Sequence, residues 1–431
     1  MEIKKINYKK YLNRGGFIIN VAKMLAGNAA AQTIGLITAP IIARLYTPED
    51  FGSMTLVMSI IGILSVFSCL RYEQAIVLPK DNRDGLNLLA LCLIISCLFA
   101  FSLLFFVWLL RNVQGVFPGI SALGNLLWFV PLGVFTFGIC QSFIYWQTRI
   151  KNFSILSVNQ VLIQVSVASS KIASGFCIGS SAGWLITGNI IGQSISIIIL
   201  GYTLLRYYLS ELRKTIRKAN ILCVAQEFRD FPKYRIWTGF LNSVNQNLPV
   251  FWLAYFFSNE VVGFFGLANS LLRKPINLIS QSISRVFLQK AAETEVQSQD
   301  HRKNLTKATL GLAFIGIIPF GILMIGGRCI FTFLFGNEWL EAGLYVQLLA
   351  PWLFTLFINS PSTQLLLVKR ELRFSLFFNI WNIFFRSLAI VIGMLLFREP
   401  WGALLLFSVI GVLANLYLIR FAFCLLPKAD Y

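Results

Sequence analysis

The chain has 431 residues, of which 57% are hydrophobic and 13% charged, with a formal net charge of +19 and a mean hydropathy of +0.71. Soluble domains carry about 45–50% apolar and about 25% charged residues, so water is excluded as the solvent for most of this sequence. The positive charge does not mark a nucleic-acid binder, because that needs a solvated basic surface and the sequence between the charges is hydrocarbon-like.

Twelve apolar runs are predicted as helices, at 17–43, 54–78, 86–110, 122–146, 154–178, 183–205, 237–257, 261–284, 308–327, 342–368, 374–397 and 401–425. Each is long enough to cross a hydrocarbon layer about 30 Å thick. Runs such as LLALCLIISCLFAFSLLFFVWLL (88–110) are apolar on every face, whereas a barrel strand would alternate. The first run follows a basic N-terminus, carries Lys23, Asn28 and Gln32, and stays apolar beyond residue 40, so a retained span is expected in place of a cleaved signal. The eight cysteines show no CxxC or metal-ligand spacing and read as small buried hydrophobes; neither a metal nor a cofactor is expected.

Orientation follows from the connections. One side collects 27 Lys and Arg, from Lys4, Lys5, Lys9, Lys10 and Arg14 through the eight in 206–236 to Arg420 and Lys428, while the other has only Arg44, Arg111, Arg328 and Arg398. The positive-inside rule then places both termini in the cytoplasm. The fold expected is an all-α integral membrane protein of about twelve transmembrane helices in two six-helix lobes, residues 1–205 and 237–431, joined by a basic cytoplasmic linker, 206–236. That linker interleaves cations with Leu, Ile and Val, which suits either a helix on the anionic inner leaflet, worth about 1 kcal/mol per cation, or a solvated connection.

The two halves resemble each other. PIIARLYTPEDFGSMTLV (40–57) and PVFWLAYFFSNEVVGFFGLA (249–268) both run from a Pro through an aromatic and a polar turn, with Glu49 or Glu260, to a Gly that opens the next helix. Glu49 and Gly52 lie 211 residues before Glu260 and Gly263. Upstream, AGNAAAQ (26–32) is answered by NSVNQN (242–247), placing Asn28, Gln32, Asn245 and Asn247 at comparable depths. A repeat of six spans inserts both copies the same way up, the parallel-repeat plan of transporters with a site between lobes.

Six cations but only one acid, Glu73, fall within the spans: Lys23, Arg71, Lys171, Arg273, Lys274 and Arg386. Intramembrane charges are costly and each needs a reason. At about 1.5 Å per residue, Arg273, Lys274 and Arg386 sit about 18 Å into their helices, near the midplane. Pro275 removes a backbone donor beside them and is expected to break the helix. These three are the candidates for a cavity lining. Lys23 lies about 9 Å from the cytoplasmic end, where snorkelling competes, and Lys171 is its counterpart near the outer face. Excess positive charge suits an anionic substrate, with Arg matched to phosphate geometry. Arg71 and Glu73, about 25 and 28 Å from the outer end of the second run, belong at the cytoplasmic mouth. Two residues apart on a helix they diverge by about 200° and are not expected to pair. Arg71 is then a headgroup contact, a gate or a snorkelling residue, and Glu73 a gate partner or coupling acid.

Two stretches carry a family resemblance. ARLYTPEDFGSMTLVMSIIGILSVFSCLRYEQAIVLPKD (43–81) resembles the N-terminal signature of bacterial polysaccharide flippases of the Wzx type, in the MOP superfamily. FRDFPKYRIWTGFLNSVNQNLPVFWLAYFFSNEVVGFFGLANSLLRKPINLISQSISRVF (228–287) is similar to that family's central region. The resemblance implies alternating access in the inner membrane and a non-enzymatic flippase. Its implied substrate is an undecaprenyl-pyrophosphate-linked oligosaccharide destined for O-antigen or another surface polysaccharide. It also implies membrane lipids as partners, a polysaccharide polymerase and chain-length regulator downstream, and candidate H+ or Na+ coupling. A small-molecule exporter of the same superfamily is the alternative, though the first helix carries Lys23 where drug antiporters typically carry an acid. A multi-span polymerase is a further alternative; it would need a large outer loop, and no paired-carboxylate or Ser/His/Asp pattern appears.

Overall fold

The computed structural model describes residues 16–112, 123–274, 276, 301–369 and 371–426. The chain is helical throughout, with no strand among the described residues. In order it forms α1 (Gly16–Leu45), α2 (Pro48–Leu64), α3 (Asn82–Asn112), α4 (Phe129–Arg149), α5 (Phe153–Cys177), α6 (Ala182–Thr215) and α7 (Lys218–Glu227). There follow α8 (Ile236–Phe256), α9 (259–274), α10 (His301–Phe335), α11 (Leu340–Ile358), α12 (Ser360–Val368), α13 (Leu372–Phe397) and α14 (Pro400–Cys424). Nine helices among the described residues are long and apolar enough to cross a membrane. The expected runs at 54–78, 237–257 and 261–284 are not among the nine. The helix in the first of them ends at Leu64, 17 residues counted from Pro48, the second carries amides that lower its hydropathy, and the last lies partly outside the described residues, as do Pro275, Asn277, Gln281 and the N-terminal basic cluster.

Three boundaries depart from the sequence expectation. The second run is helical only to Leu64. Ser65 and Ser68 then turn their hydroxyls onto the carbonyls of Gly62 and Ser65, at 3.0 and 2.8 Å. Leu70 and Arg71 adopt left-handed φ values of 50° and 63°, before a 3-10 turn at Tyr72–Val77. Side-chain back-bonding of this kind competes with the helix ladder. The run at 342–368 breaks at Asn359, whose amide donates to Asn415 in a buried polar pair. Finally, α6 continues well into the basic connection, and α7 docks on the protein: Val224 is buried and the Tyr72 hydroxyl donates to Ala225 O at 3.0 Å.

One hydrophobic core unites residues from both halves of the sequence. It includes Ala43, Tyr46, Phe51 and Val57 together with Val262, Phe265, Trp339 and Tyr345. At this end Trp339 Nε1 donates to Ala43 O at 2.9 Å, Arg44 to Phe333 O at 3.0 Å, and Phe51 meets the Trp339 ring edge-on at 5.0 Å. Toward the other end the described cores separate. One holds Cys69, Leu86, Trp146 and Leu200; two smaller ones hold Leu305, Leu365 and Ala422, and Leu366, Phe378 and Leu418.

The 211-residue offset reappears as a physical contact. A Cβ on Gly52 would run into the Asn259 carbonyl, 2.6 Å from its carbon, and one on Gly263 into the Pro48 carbonyl, 2.8 Å from its carbon. Pro48 and Asn259 are themselves 211 residues apart, as are Thr55 and Gly266, which also touch. Helices α2 and α9 thus cross at a pair of glycines that each admit the other's backbone, the close approach small residues permit in membranes. Thr47 fixes the entry to α2, exchanging hydrogen bonds with Asp50 in a capping box.

Candidate functional site

The charged groups fall into three places. At the inner end of α2, Arg71 and Glu73 form an ion pair, Nη1 to Oε1 at 3.7 Å. The expectation that they cannot pair is overturned, because the 200° divergence holds only on a helix and the chain here is left-handed at Arg71. Both are largely buried, with side chains 24% and 10% exposed. The Arg71 guanidinium lies against Gly239 on α8, where a Cβ would collide with it. Nearby, Phe67 meets Phe240 with the rings tilted and 5.6 Å apart, and Ser243 donates to Gly62 O at 2.8 Å, so α2 and α8 are joined along this edge. Glu73 Oε2 is buried without a hydrogen-bond partner, and Tyr145 of α4 lies close enough to feel both charges.

Deeper in, Lys274 crosses from α9 to the N-terminal half. Its Nζ lies over Gly35 of α1, 3.5 Å from where a Cβ would stand, beside Gln164 of α5. Two turns further along α5, Lys171 is buried, within electrostatic reach of the Lys274 charge. Among the described residues the Lys171 ammonium reaches the Met54 sulfur at 3.8 Å, while Tyr46 OH holds the Lys171 carbonyl at 2.8 Å. Gln32, one turn from Gly35, presents a buried Oε1 with no partner. Lys274, Gln164 and Gly35 thus bring residues of both halves together, with Gln32 one turn away on α1 and Lys171 two turns away on α5. The sequence leaves Lys171, like Lys23, open between snorkelling and an inward role, since depth along a helix does not reveal which way a side chain turns. The structure turns it inward.

Arg273, although adjacent to Lys274, points elsewhere. Its Nε donates to Asn269 Oδ1 at 2.9 Å, and its guanidinium stands 5.3 Å from the centroid of Trp352 on α11. Arg386 of α13 lies over the same Trp352 ring at 4.1 Å and over Phe407 of α14 at 3.7 Å. The expected trio of central cations is therefore divided between a lysine cluster at the junction of the halves and an arginine pair within the C-terminal half.

The other candidates are spread out. Lys23 is exposed and reaches Ser154 Oγ at 3.5 Å, close to the start of α5. Asn28 is half-buried on α1, and Asn245 half-buried on α8. Asn247 donates to Ser243 O at 2.9 Å and lies against Gly62, so it serves the α2–α8 contact. No group of three or more His, Cys, Asp or Glu that could hold a metal occurs among the described residues.

The polysaccharide biosynthesis protein family model matches residues 41–344. The lipopolysaccharide biosynthesis protein WzxC of Escherichia coli (strain K12) is 23% identical over 376 residues, covering 84% of this chain and 71% of that protein. Among solved structures, the lipid II flippase MurJ in an inward closed conformation superposes with a TM-score of 0.71 at 13% identity, over 91% of this chain and 86% of that one. An inward-facing multidrug resistance MATE transporter of the MOP superfamily gives 0.67 at 13% identity, over 91% and 93%. Below 25% identity these two speak for the fold alone. The family model spans most of the chain, and with nine apolar helices among the described residues it establishes that this chain is a multi-pass membrane protein of the polysaccharide biosynthesis protein family.

Proposed function

We propose that this protein flips undecaprenyl-pyrophosphate-linked oligosaccharide repeat units across the inner membrane, by alternating access and without chemical change to the substrate. The observation that carries the reading is the seating of Lys274 beside Gly35 and Gln164 of the N-terminal half, with the buried Lys171 two turns along α5 and no acid paired to either lysine among the described residues. Buried like charges are costly unless an anion relieves them, and a diphosphate would do so on arrival. Gln32 and Gln164 offer neutral acceptors and donors to the same group or to the first sugar. Arg273 and Arg386, around Trp352, and Arg71, at the inner mouth, extend the positive path, and Lys23 stands on the same approach. A shared core at the outer end and divided cores at the inner end suit loading from the cytoplasm.

Coupling to a proton or sodium gradient is assigned in this proposal to Glu73, the acid of the inner mouth. The product fits a polysaccharide polymerase and chain-length regulator acting on the outer face. The experiment is translocation of fluorescent lipid-linked glycan in inverted vesicles. A Lys171→Gln/Lys274→Gln double variant, and separately Arg273→Ala/Arg386→Ala, should lower the initial rate by about tenfold or more, since a charge-assisted contact of 1.4 kcal/mol is a factor of ten. Normal rates in both would refute the cation site. Loss of the gene should leave repeat units on the cytoplasmic leaflet; their absence there would favour a small-molecule exporter.

A further inference from the structure

We propose that each half of the protein binds one internal water at a polar clasp between its fourth and sixth long helices, so that one kind of site occurs twice in the chain. In the N-terminal half the Gln147 amide of α4 donates to Thr203 Oγ1 of α6 at 2.6 Å. In the C-terminal half the Asn359 amide, just past the end of α11, donates to Asn415 Oδ1 of α14 at 3.1 Å. The partners are 56 residues apart in both pairs. Gln147 and Thr203 lie 212 residues before Asn359 and Asn415, one more than the offset of Gly52 from Gly263. Gln147 is 1% exposed and Asn359 2%. Each amide keeps an oxygen, Gln147 Oε1 or Asn359 Oδ1, that is buried without a hydrogen-bond partner among the described residues.

A threonine fixes which amide atom is left over. The Thr203 hydroxyl gives its proton to Leu200 O at 2.7 Å, so its oxygen can only accept, and Gln147 faces it with the NH2 group. Thr355 likewise donates to Trp352 O at 2.8 Å and accepts from the Asn415 NH2 at 3.1 Å, which turns Asn415 Oδ1 toward the NH2 of Asn359. Both chains of hydrogen bonds therefore end at an amide oxygen that needs a donor, and a buried acceptor left unpaired is costly. Water is the smallest donor that brings no charge, and it accepts as well as donates. A second buried polar atom without a partner stands close along each chain, Trp146 Nε1 beside Gln147 and Ser362 Oγ three residues after Asn359. Thr363 N donates to Asn359 O at 3.3 Å, so the helical turn that puts residues three apart on one face is kept there. Each clasp lies where its half leaves the shared outer core: Phe143, Trp146 and Leu200 belong to the inner core of the N-terminal half, and Leu365 and Leu366 to the two small cores of the C-terminal half. The clasps then hold each inner end together when the halves part. They use neither Lys171 nor Lys274, so they stand whether or not those lysines bind substrate.

The test is a density map of the full-length protein, by crystallography or electron microscopy, at a resolution that places ordered waters. A peak is expected about 2.6–3.0 Å from Gln147 Oε1, and another at the same distance from Asn359 Oδ1. Labelling by X-ray-generated hydroxyl radicals gives a second readout on the protein in detergent, because radicals form at bound water even where bulk solvent is shut out. Trp146 and Trp339 are each 1% exposed, but the Trp339 indole N–H is bonded to Ala43 O. Trp146 should therefore be oxidised and Trp339 spared, and Gln147→Met/Thr203→Val should lose the Trp146 label. Should that variant fail to fold, the map and the contrast between the two tryptophans in the parent protein decide the matter. Density at neither amide oxygen, or at one alone, would overturn the proposal, as would equal labelling of Trp146 and Trp339. So would a peak held by about six oxygens at about 2.4 Å, which would make the ligand a metal cation.

Discussion

At Arg71 and Glu73 a short run of left-handed backbone decides what two charges do. A guanidinium that would have pointed away from its neighbour instead neutralises it at 3.7 Å while lying in the notch left by Gly239. Removing one member of a buried pair strands the other, which costs about 3–5 kcal/mol when burial is complete. With the Arg71 side chain 24% exposed, we expect Arg71→Ala to lower stability by about 2 kcal/mol, read as a drop in the unfolding temperature of the purified protein. Arg71→Leu/Glu73→Gln should recover most of it. Gly239→Val, which touches neither charge chemically, should mimic Arg71→Ala by displacing the guanidinium; wild-type stability in Gly239→Val would show that the contact is not tight. If Glu73 is the coupling acid, Glu73→Gln retains downhill flipping but loses its acceleration by an imposed proton or sodium gradient. A gradient response equal to the parent's removes Glu73 from that role.

Helices α2 and α9 present the element-level problem, because two helices 211 residues apart in sequence cross backbone to backbone at Gly52 and Gly263. The reciprocity makes a specific forecast. Gly52→Val and Gly263→Val should each destabilise by about 1–3 kcal/mol through overpacking, and by similar amounts, as judged by thermal unfolding. A large effect at one and none at the other would break the symmetry. Asn259 donates to Ser53 Oγ at 3.4 Å across the same crossing. A Ser53→Cys/Asn259→Cys pair should therefore oxidise readily and arrest flipping until reduced, if the outer ends must part during transport. Undiminished flipping by the cross-linked protein would mean that they stay together.

On the scale of the whole molecule, the charge asymmetry of the connections predicts a direction across the membrane. Two native cysteines can report it: Cys177, exposed at the end of α5, and Cys223, exposed on α7. In variants retaining only one of them, a membrane-impermeant maleimide should label Cys177 in intact spheroplasts and Cys223 only after lysis. The opposite pattern would invert the topology. A single core at one end and separate cores at the other also describe a molecule able to rock about its outer contacts, where Trp339, fully buried, ties α1 and α2 to the C-terminal half.

Composition and span length were enough to determine the solvent and the helical class, because each depends on sums over many residues. The 211-residue offset was legible at Gly52 and Gly263 before any contact was seen, and Arg273, Lys274 and Arg386 were legible as costly interior charges. Partnership was not. Lys171 stayed open between snorkelling and an inward role because its depth is readable and its direction is not. The tertiary structure alone sent Lys274 toward Gly35 and Gln164 and its neighbour Arg273 toward Trp352, since adjacent positions on a helix face different neighbours. It alone also joined Arg71 to Glu73, by breaking the helix whose periodicity would have kept them apart.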